Sequence, residues 1–392
     1  MVFPRCAELP TDSAVMPGNS SYKGLWKINQ KETSTLKINL YRAGGMLAVI
    51  FLASALTVAG QEGRGVYVLT STNNASANYV VVFKLNTAGT PSLSLVDMLA
   101  TGGKGGASTN AGILQFRDDR GAVANYGSNS VTQLVRDDDT IRVGPIISLA
   151  SGCAKPDSIA LTEEHLYVVG TTCAESHAWP SGALDGTVVG LTDSTAAQIA
   201  VGKSWAAVTL ADPLTPPGSV LQLGLTQDGA LSGTSNNVTL PANTNLVPLG
   251  EAFWGDALGF TPAHSPNSFA IVDKSGTVYP IAGPTPSFPS NAPCWVAKGP
   301  GSVWYTGNSP GQAISIFFSD GQGGVFYKSI PLPGVPTDIT VSRDGKWLAV
   351  IYTAGGEGYV AVFAIDAYGD LTPVATSNSI GVTAFNGVAF SQ

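Results

Sequence analysis

The chain carries three histidines, His165, His177 and His264, and these are its near-neutral proton carriers. His165 in TEEHLYVVG and His264 in TPAHSPNS read as solvated turn residues, whereas His177 in TTCAESHAWPSGALDG reads as part of a long loop able to overhang a site. The tract GNSPG, residues 307–311, matches the G-x-S-x-G pattern of a nucleophile elbow. That elbow needs a strand before its serine and a helix after it. Here Pro310 follows the serine and AISIFFS is strand-like, so the tract reads as an ordinary turn. GGKGG, residues 102–106, lacks the Lys-Ser/Thr ending of a phosphate loop. The runs RDDR and RDDDT read as solvated hairpin turns rather than calcium loops, and no Cys/His spacing suggests zinc. Neither a metal nor a cofactor is expected.

The elements that position these residues follow from composition. The 392 residues include 46 Gly and 25 Pro, with 12% charged and 44% hydrophobic side chains. Turn formers are abundant and the charged residues that coat helices are scarce, which points to an all-β chain with a substantial core. A net charge of −7 argues against nucleic acid or an anionic membrane as partners. MLAVIFLASALTVAG, residues 46–60, is too short to span a bilayer and fits the apolar region of a signal peptide. Residues 1–60 are therefore read as an extension plus a signal peptide with its apolar region at 46–59, and residues 61–392 as one domain entering the secretory pathway. The unusually long segment before the apolar region makes Met16 and Met46 alternative starts. In an oxidising compartment Cys153 and Cys173 are the natural disulfide pair, with Cys294 left as a buried thiol. Asn74 and Asn237 lie in glycosylation sequons.

A repeat of about 40–50 residues runs through the chain. Its copies begin near Ser108, Lys155, Gly202, Phe253, Ala292 and Val335, and each reads as a run of short strands. The C-terminal FNGVAFSQ matches the first strand of the repeat, and GRGVYVLTS near residue 63 matches the second. One unit is thus split between the chain ends. A seven-bladed β-propeller closed by pairing of N- and C-terminal strands is expected, with six blades as the alternative.

In such a fold the loops leading into the innermost strands ring one mouth of a central channel. The repeat places Asn110, Lys155, Asp157, Lys203, Trp205, Trp254, Trp295, Thr337, Asp338 and Asn386 there, and second-to-third-strand loops add Tyr126, His177 and Trp179. Trp205, Trp254 and Trp295 fall at one repeat position in this alignment. The mouth is expected to be aromatic and amide-rich, without a His–carboxylate pair, and to hold small apolar molecules. Holding two reactants in register supplies about 7–11 kcal/mol of a barrier. Lys203, Lys155 or His177 is placed to polarise a carbonyl.

AVANYGSNSVTQLV and VAVFAIDAYGDLTPV resemble the blade motifs of lactonase-type propellers, the 6-phosphogluconolactonase-like and carboxymuconate-lactonizing proteins. The resemblance covers most of residues 62–392. It implies a histidine-containing lead into one inner strand, where this chain has Lys155, Pro156 and Asp157 instead. With its few histidines and secretory features the chain looks like the fungal hetero-Diels–Alderases of tropolone–sesquiterpenoid pathways. That resemblance implies a pericyclase joining a tropolone quinone methide to a humulene-type olefin as a dihydropyran. A secreted lactonase and a non-catalytic ligand-binding propeller are the alternatives.

Overall fold

The computed structural model describes residues 64–107, 111–192, 195–211, 218–240, 247–263, 269–282, 293–381 and 385–392. The anticipated leader and extension, together with Asn110 and His264, lie outside the described residues. Seven four-stranded antiparallel sheets form an all-β, seven-bladed propeller. The only helical element among the described residues is the short 3-10 turn Tyr126–Ser128. None of their helices is long and apolar enough to cross a membrane.

Blade 1 is the split one. The C-terminal strand Asn386–Ser391 pairs with Val66–Ser71, which is followed outward by Tyr79–Asn86 and Ser92–Ala100. The other inner strands are Leu114–Arg117, Pro156–Leu161, Ala196–Val201, Pro248–Trp254, Pro293–Lys298 and Val335–Val341, in blades 2 to 7. Second strands such as HLYVVG, WAAVTL and VWYTGN are buried along their whole length, because neighbouring blades cover both faces. The outer strand SLSLVDMLA is mostly exposed. Aromatic residues fill the wedge between blades 5 and 6, where Phe269 contacts Trp304 and Phe317 at ring-centroid distances of 5.1 and 5.5 Å.

The inner strands share one irregularity. In blades 1 and 3 to 7 the pairing with the second strand slips within the first residues, leaving a bulge. A bulge bends a strand and raises its twist. In blade 1 the bulged residue is Gly387, at φ +78°, where a Cβ would stand 2.7 Å from Ile113 of blade 2. Only glycine suits that backbone and that approach. The register Tyr67↔Ser391, Val68↔Phe390, Leu69↔Ala389 and Thr70↔Val388 then completes the blade. Thr70 Oγ1 donates to the Gly387 carbonyl at 2.8 Å. Asp338 of blade 7 reaches the same strand and accepts the Val388 N–H at 3.3 Å.

Cys153 and Cys173 form the disulfide anticipated from the sequence, with Cα atoms 5.4 Å apart. Cys294 corrects the expectation of a free thiol: it is also disulfide-bonded. The other two described cysteines pair with each other, so its partner lies outside the described residues.

Removing Phe385–Gln392 strips blade 1 of its inner strand, and loss of a cooperative thermal transition is expected; an unchanged melting temperature would refute the split blade. Reducing the Cys153–Cys173 bridge, which spans 20 residues, is expected to lower stability by about 3 kcal/mol in urea titrations. Burial raises the Asp338 carboxyl to about 7, against the opposing pull of the Ile339, Gly112, Val388 and Gly387 N–H groups. The folded state therefore favours the protonated acid. Its contribution is complete below the unfolded value of 3.8 and is lost as pH rises through about 7. The stability difference between wild type and Asp338→Asn should change by up to about 4 kcal/mol between pH 4 and 8.

Candidate functional site

The seven inner strands enclose a central channel. A cavity of about 250 Å³ within it is lined by residues of all of them, including Gln115, Gln198, Glu251, Lys298, Asp338 and Thr340. Some of these sit in short, mostly apolar strands, as Gln198 does in AAQIAV and Glu251 in PLGEAFW. A polar residue at such a position has no route to bulk water except along the channel.

What most of these residues do is visible from their partners. The residue after the bulge reaches the backbone of the next inner strand. Ser158 Oγ accepts the Ile199 N–H at 3.2 Å. Gln198 pairs with Glu251 as a peptide would, donating to its carbonyl at 2.9 Å and accepting its N–H at 2.8 Å. Trp295 Nε1 donates to the Pro336 carbonyl at 2.9 Å, and Asp338 accepts from Val388. These bonds staple blade 3 to 4, 4 to 5, 6 to 7 and 7 to 1.

Glu251 holds the same position in blade 5 and does not follow the pattern. Its backbone is engaged by Gln198, but neither carboxyl oxygen makes a hydrogen bond. The side chain is 1% exposed and lines the cavity. Burial pushes its carboxyl well above the usual range, outweighing the Ala200 backbone N–H, which lies near enough to favour the charged form but does not meet hydrogen-bond geometry. Burial therefore favours the neutral form of Glu251, which offers one O–H donor and a carbonyl acceptor.

Lys298 lies farther along the same cavity. Its ammonium donates to the carbonyls of Gly299, Gly301 and Val303 at 2.6, 2.5 and 3.2 Å. It also stands 5.0 and 5.2 Å from the Trp254 and Trp304 ring centres. Burial lowers it to about 8. With all three of its donors engaged it serves as a fixed positive charge rather than a nucleophile.

The anticipated aromatic mouth is not what the structure assembles from the described residues. Call the mouth where the inner strands begin the upper one. Lys203 is exposed in the turn after the blade 4 inner strand, and Trp205 opens the second strand, so both belong to the lower end. Trp205 is buried against Phe253, ring centres 4.7 Å apart, and donates to the Asp256 carbonyl. Trp254 ends the blade 5 inner strand and is 41% exposed. Trp295 is the third residue of its inner strand and fully buried. The three tryptophans thus occupy three different repeat positions. His177 is not in a loop but in the strand Cys173–Ala178, buried and 2.8 Å from Glu175 Oε1. His165 is not solvated: it is buried, with Nδ1 2.9 Å from Asp185 Oδ2 and Nε2 2.6 Å from the Asp228 carbonyl. Two His–carboxylate pairs are therefore present among the described residues, and neither lines the cavity.

Some anticipated residues do converge. Lys155 Nζ lies 5.7 Å from the Tyr126 ring centre, and its backbone N–H donates to Asn129 at the upper end. Burial and the nearby Asp157 raise the Tyr126 hydroxyl. Thr337 and Asn386 stand at the upper ends of the inner strands flanking the Asp338 staple. Asn74 and Asn237 are exposed. Gln115, Gln198, Glu251 and Lys298 were missed, although for Gln198, Glu251 and Lys298 a lone polar residue in a short apolar run was the available signal.

No family model and no curated protein matches the chain. Among solved structures it is similar to a putative 6-phosphogluconolactonase from Bacteroides uniformis ATCC 8492, with TM-score 0.62, 14% identity and coverage of 83% of this chain and 99% of that one. A putative 6-phosphogluconolactonase from Bacteroides fragilis NCTC 9343 gives 0.59, 14%, 85% and 99%. Virginiamycin B lyase from Staphylococcus aureus gives 0.50, 13%, 73% and 94%. At these identities the likeness establishes the fold alone, a β-propeller shared with lactonase-like chains.

Proposed function

We propose that this protein is a small-molecule enzyme that activates a carbonyl group in its central channel, and that its substrate is a compact cyclic ester. The observation that carries this reading is Glu251, a residue that lines the cavity and whose buried carboxyl has both oxygens without a hydrogen-bond partner. A neutral acid held in an apolar wall donates a hydrogen bond to a substrate carbonyl and strengthens it as negative charge develops on that oxygen. Gln115 and Thr340 line the same cavity from other blades and supply further polar contacts, and Lys298 adds a positive charge to its lining. Water attacking the polarised carbonyl opens the ring to a hydroxy acid.

The same polarisation would assist a hetero-Diels–Alder reaction of a tropolone quinone methide with a humulene-type olefin. The cavity size favours the ester. At about 250 Å³ it lies below the ~300–1,000 Å³ typical of sites for drug-sized ligands, and one small ring suits it better than two large apolar partners. The Cys153–Cys173 bridge supports a secretory route, and the exposure of Asn74 and Asn237 is compatible with glycosylation there.

The purified protein is assayed against a panel of small lactones and, in parallel, against a quinone-methide precursor with humulene. Lactone opening is expected, with no adduct above the spontaneous background. Glu251 acts while it keeps its proton, and its value lies above the ordinary carboxylic range. The rate should therefore be full at low pH and decline as pH rises through the raised Glu251 titration. Glu251→Leu should lower kcat/KM by about 10²–10³-fold, yet raise stability by about 1–3 kcal/mol because an unpaired buried acid is removed. A loss of stability in that variant, or full retained activity, would count against the assignment.

A further inference from the structure

The Cys153–Cys173 bridge does not stand alone. Cys173, Glu175 and His177 alternate along one strand, so their side chains share a face. All three are buried. Cys153 is brought to that face by the turn in which its N–H donates to the Ala150 carbonyl. Both sulfurs and a Glu175 oxygen lie within 4.8 Å of one another, and His177 Nε2 is 2.8 Å from the other Glu175 oxygen.

We propose that reduction of this disulfide creates a binding site for a borderline-soft divalent cation of the zinc type, with Cys153, Cys173, Glu175 and His177 as its four ligands. The donor set matches: zinc takes thiolate, imidazole and carboxylate in tetrahedral array. With Zn–S of about 2.3 Å and Zn–O of about 2.1 Å, the S···O edge of that tetrahedron is about 3.6 Å. Cys173 Sγ and Glu175 Oε2 already stand 3.9 Å apart.

The surroundings are built as those of metal ligands are. His177 Nδ1 faces the Gly182 carbonyl at 3.0 Å. That oxygen only accepts, so Nδ1 carries the hydrogen, and Nε2 is the nitrogen turned to Glu175, from which a side-chain shift brings it to the other three ligands. The Ala150 N–H donates to Glu175 Oε2 at 2.9 Å and fixes the carboxylate. Nε2 and Oε1, 2.8 Å apart, hold a proton between them in the disulfide form, and the metal takes its place.

The chemistry balances. A dithiol reductant breaks the S–S bond, passes two electrons and two protons to give two thiols, and closes to its own disulfide. The cation then displaces both thiol protons and the proton of the His177–Glu175 pair. Two thiolates, one carboxylate and a neutral imidazole around a divalent ion leave a net charge of −1.

The test uses the full chain reduced with a phosphine, titrated with Co²⁺ and followed by thiolate-to-cobalt charge-transfer absorption. Saturation at one Co²⁺ per chain, displacement by Zn²⁺ and a rise in Tm of the reduced protein with Zn²⁺ are expected. The oxidised protein and a Cys153→Ser/Cys173→Ser variant should show no band. In reduced His177→Ala and Glu175→Gln, Co²⁺ affinity should fall at least tenfold. The proposal is overturned by no band in a reduced protein that keeps its far-ultraviolet dichroism, or by wild-type affinity in both variants, which would mark chelation by the thiols alone. Unfolding on reduction overturns it as well. Should either variant fail to fold, zinc-edge X-ray absorption of the reduced wild type decides, with two sulfur and two nitrogen or oxygen neighbours expected and any other count against it.

Discussion

The pairing of Val66–Ser71 with Asn386–Ser391 is the interaction on which the rest of the molecule depends. The seven sheets are separate hydrogen-bonded units, and neighbouring blades meet through side-chain packing and a few staples. A ring of such units stays shut only where one unit contains both ends of the chain. With the ring shut, the inner strands enclose a channel, and Gln198, Glu251 and Asp338 become buried. Opened, the same residues would line a groove in contact with water, where the Glu251 and Asp338 carboxyls would be ordinary acids.

Asp338 and Glu251 show how far environment decides chemistry at one repeat position. Both are buried acids following a bulge, and burial raises both. Asp338 accepts backbone N–H groups from its own strand and from the strand that closes the ring. Its geometry is that of a structural tie. Glu251 has no such partner. In a folded protein nearly every buried polar atom is paired, and this exception beside a cavity is what the proposed carbonyl-activating role rests on.

The fold was legible in the sequence because a propeller repeats itself. Six similar runs, plus a half-unit at each end of the domain, specify seven blades. The site was much less legible. WAAVTL and AAQIAV are both short apolar runs, and period-two alternation does not say which is first or second in a blade. Taking GKSWAAVTLA for an inner strand moved Lys203 and Trp205 from the lower end of the channel to the upper. His177 was read as a loop residue because CAESHA contains polar residues at Glu175, Ser176 and His177, and that strand is buried only because each of them finds a partner. Such pairing is a tertiary fact and leaves no local pattern. The Cys153–Cys173 bridge could be read, since two cysteines bracketing one hairpin have few alternatives.

The split blade also sets an order on assembly. Thr70 and Gly387, joined by a hydrogen bond, are 317 residues apart in the chain. Bringing such distant segments together costs about 3 kcal/mol more chain entropy than closing a ten-residue hairpin. The six continuous blades, each a local meander, have no such burden and form first. Until the last step the molecule is an open horseshoe with a three-stranded half-blade at one tip and a lone strand at the other. Each tip is complementary to the opposite tip of any other copy. At high concentration two horseshoes can therefore trade strands, so that each blade 1 is completed by its neighbour. The device that shuts the ring in dilute solution is then the one that would link copies when it shuts on the wrong chain.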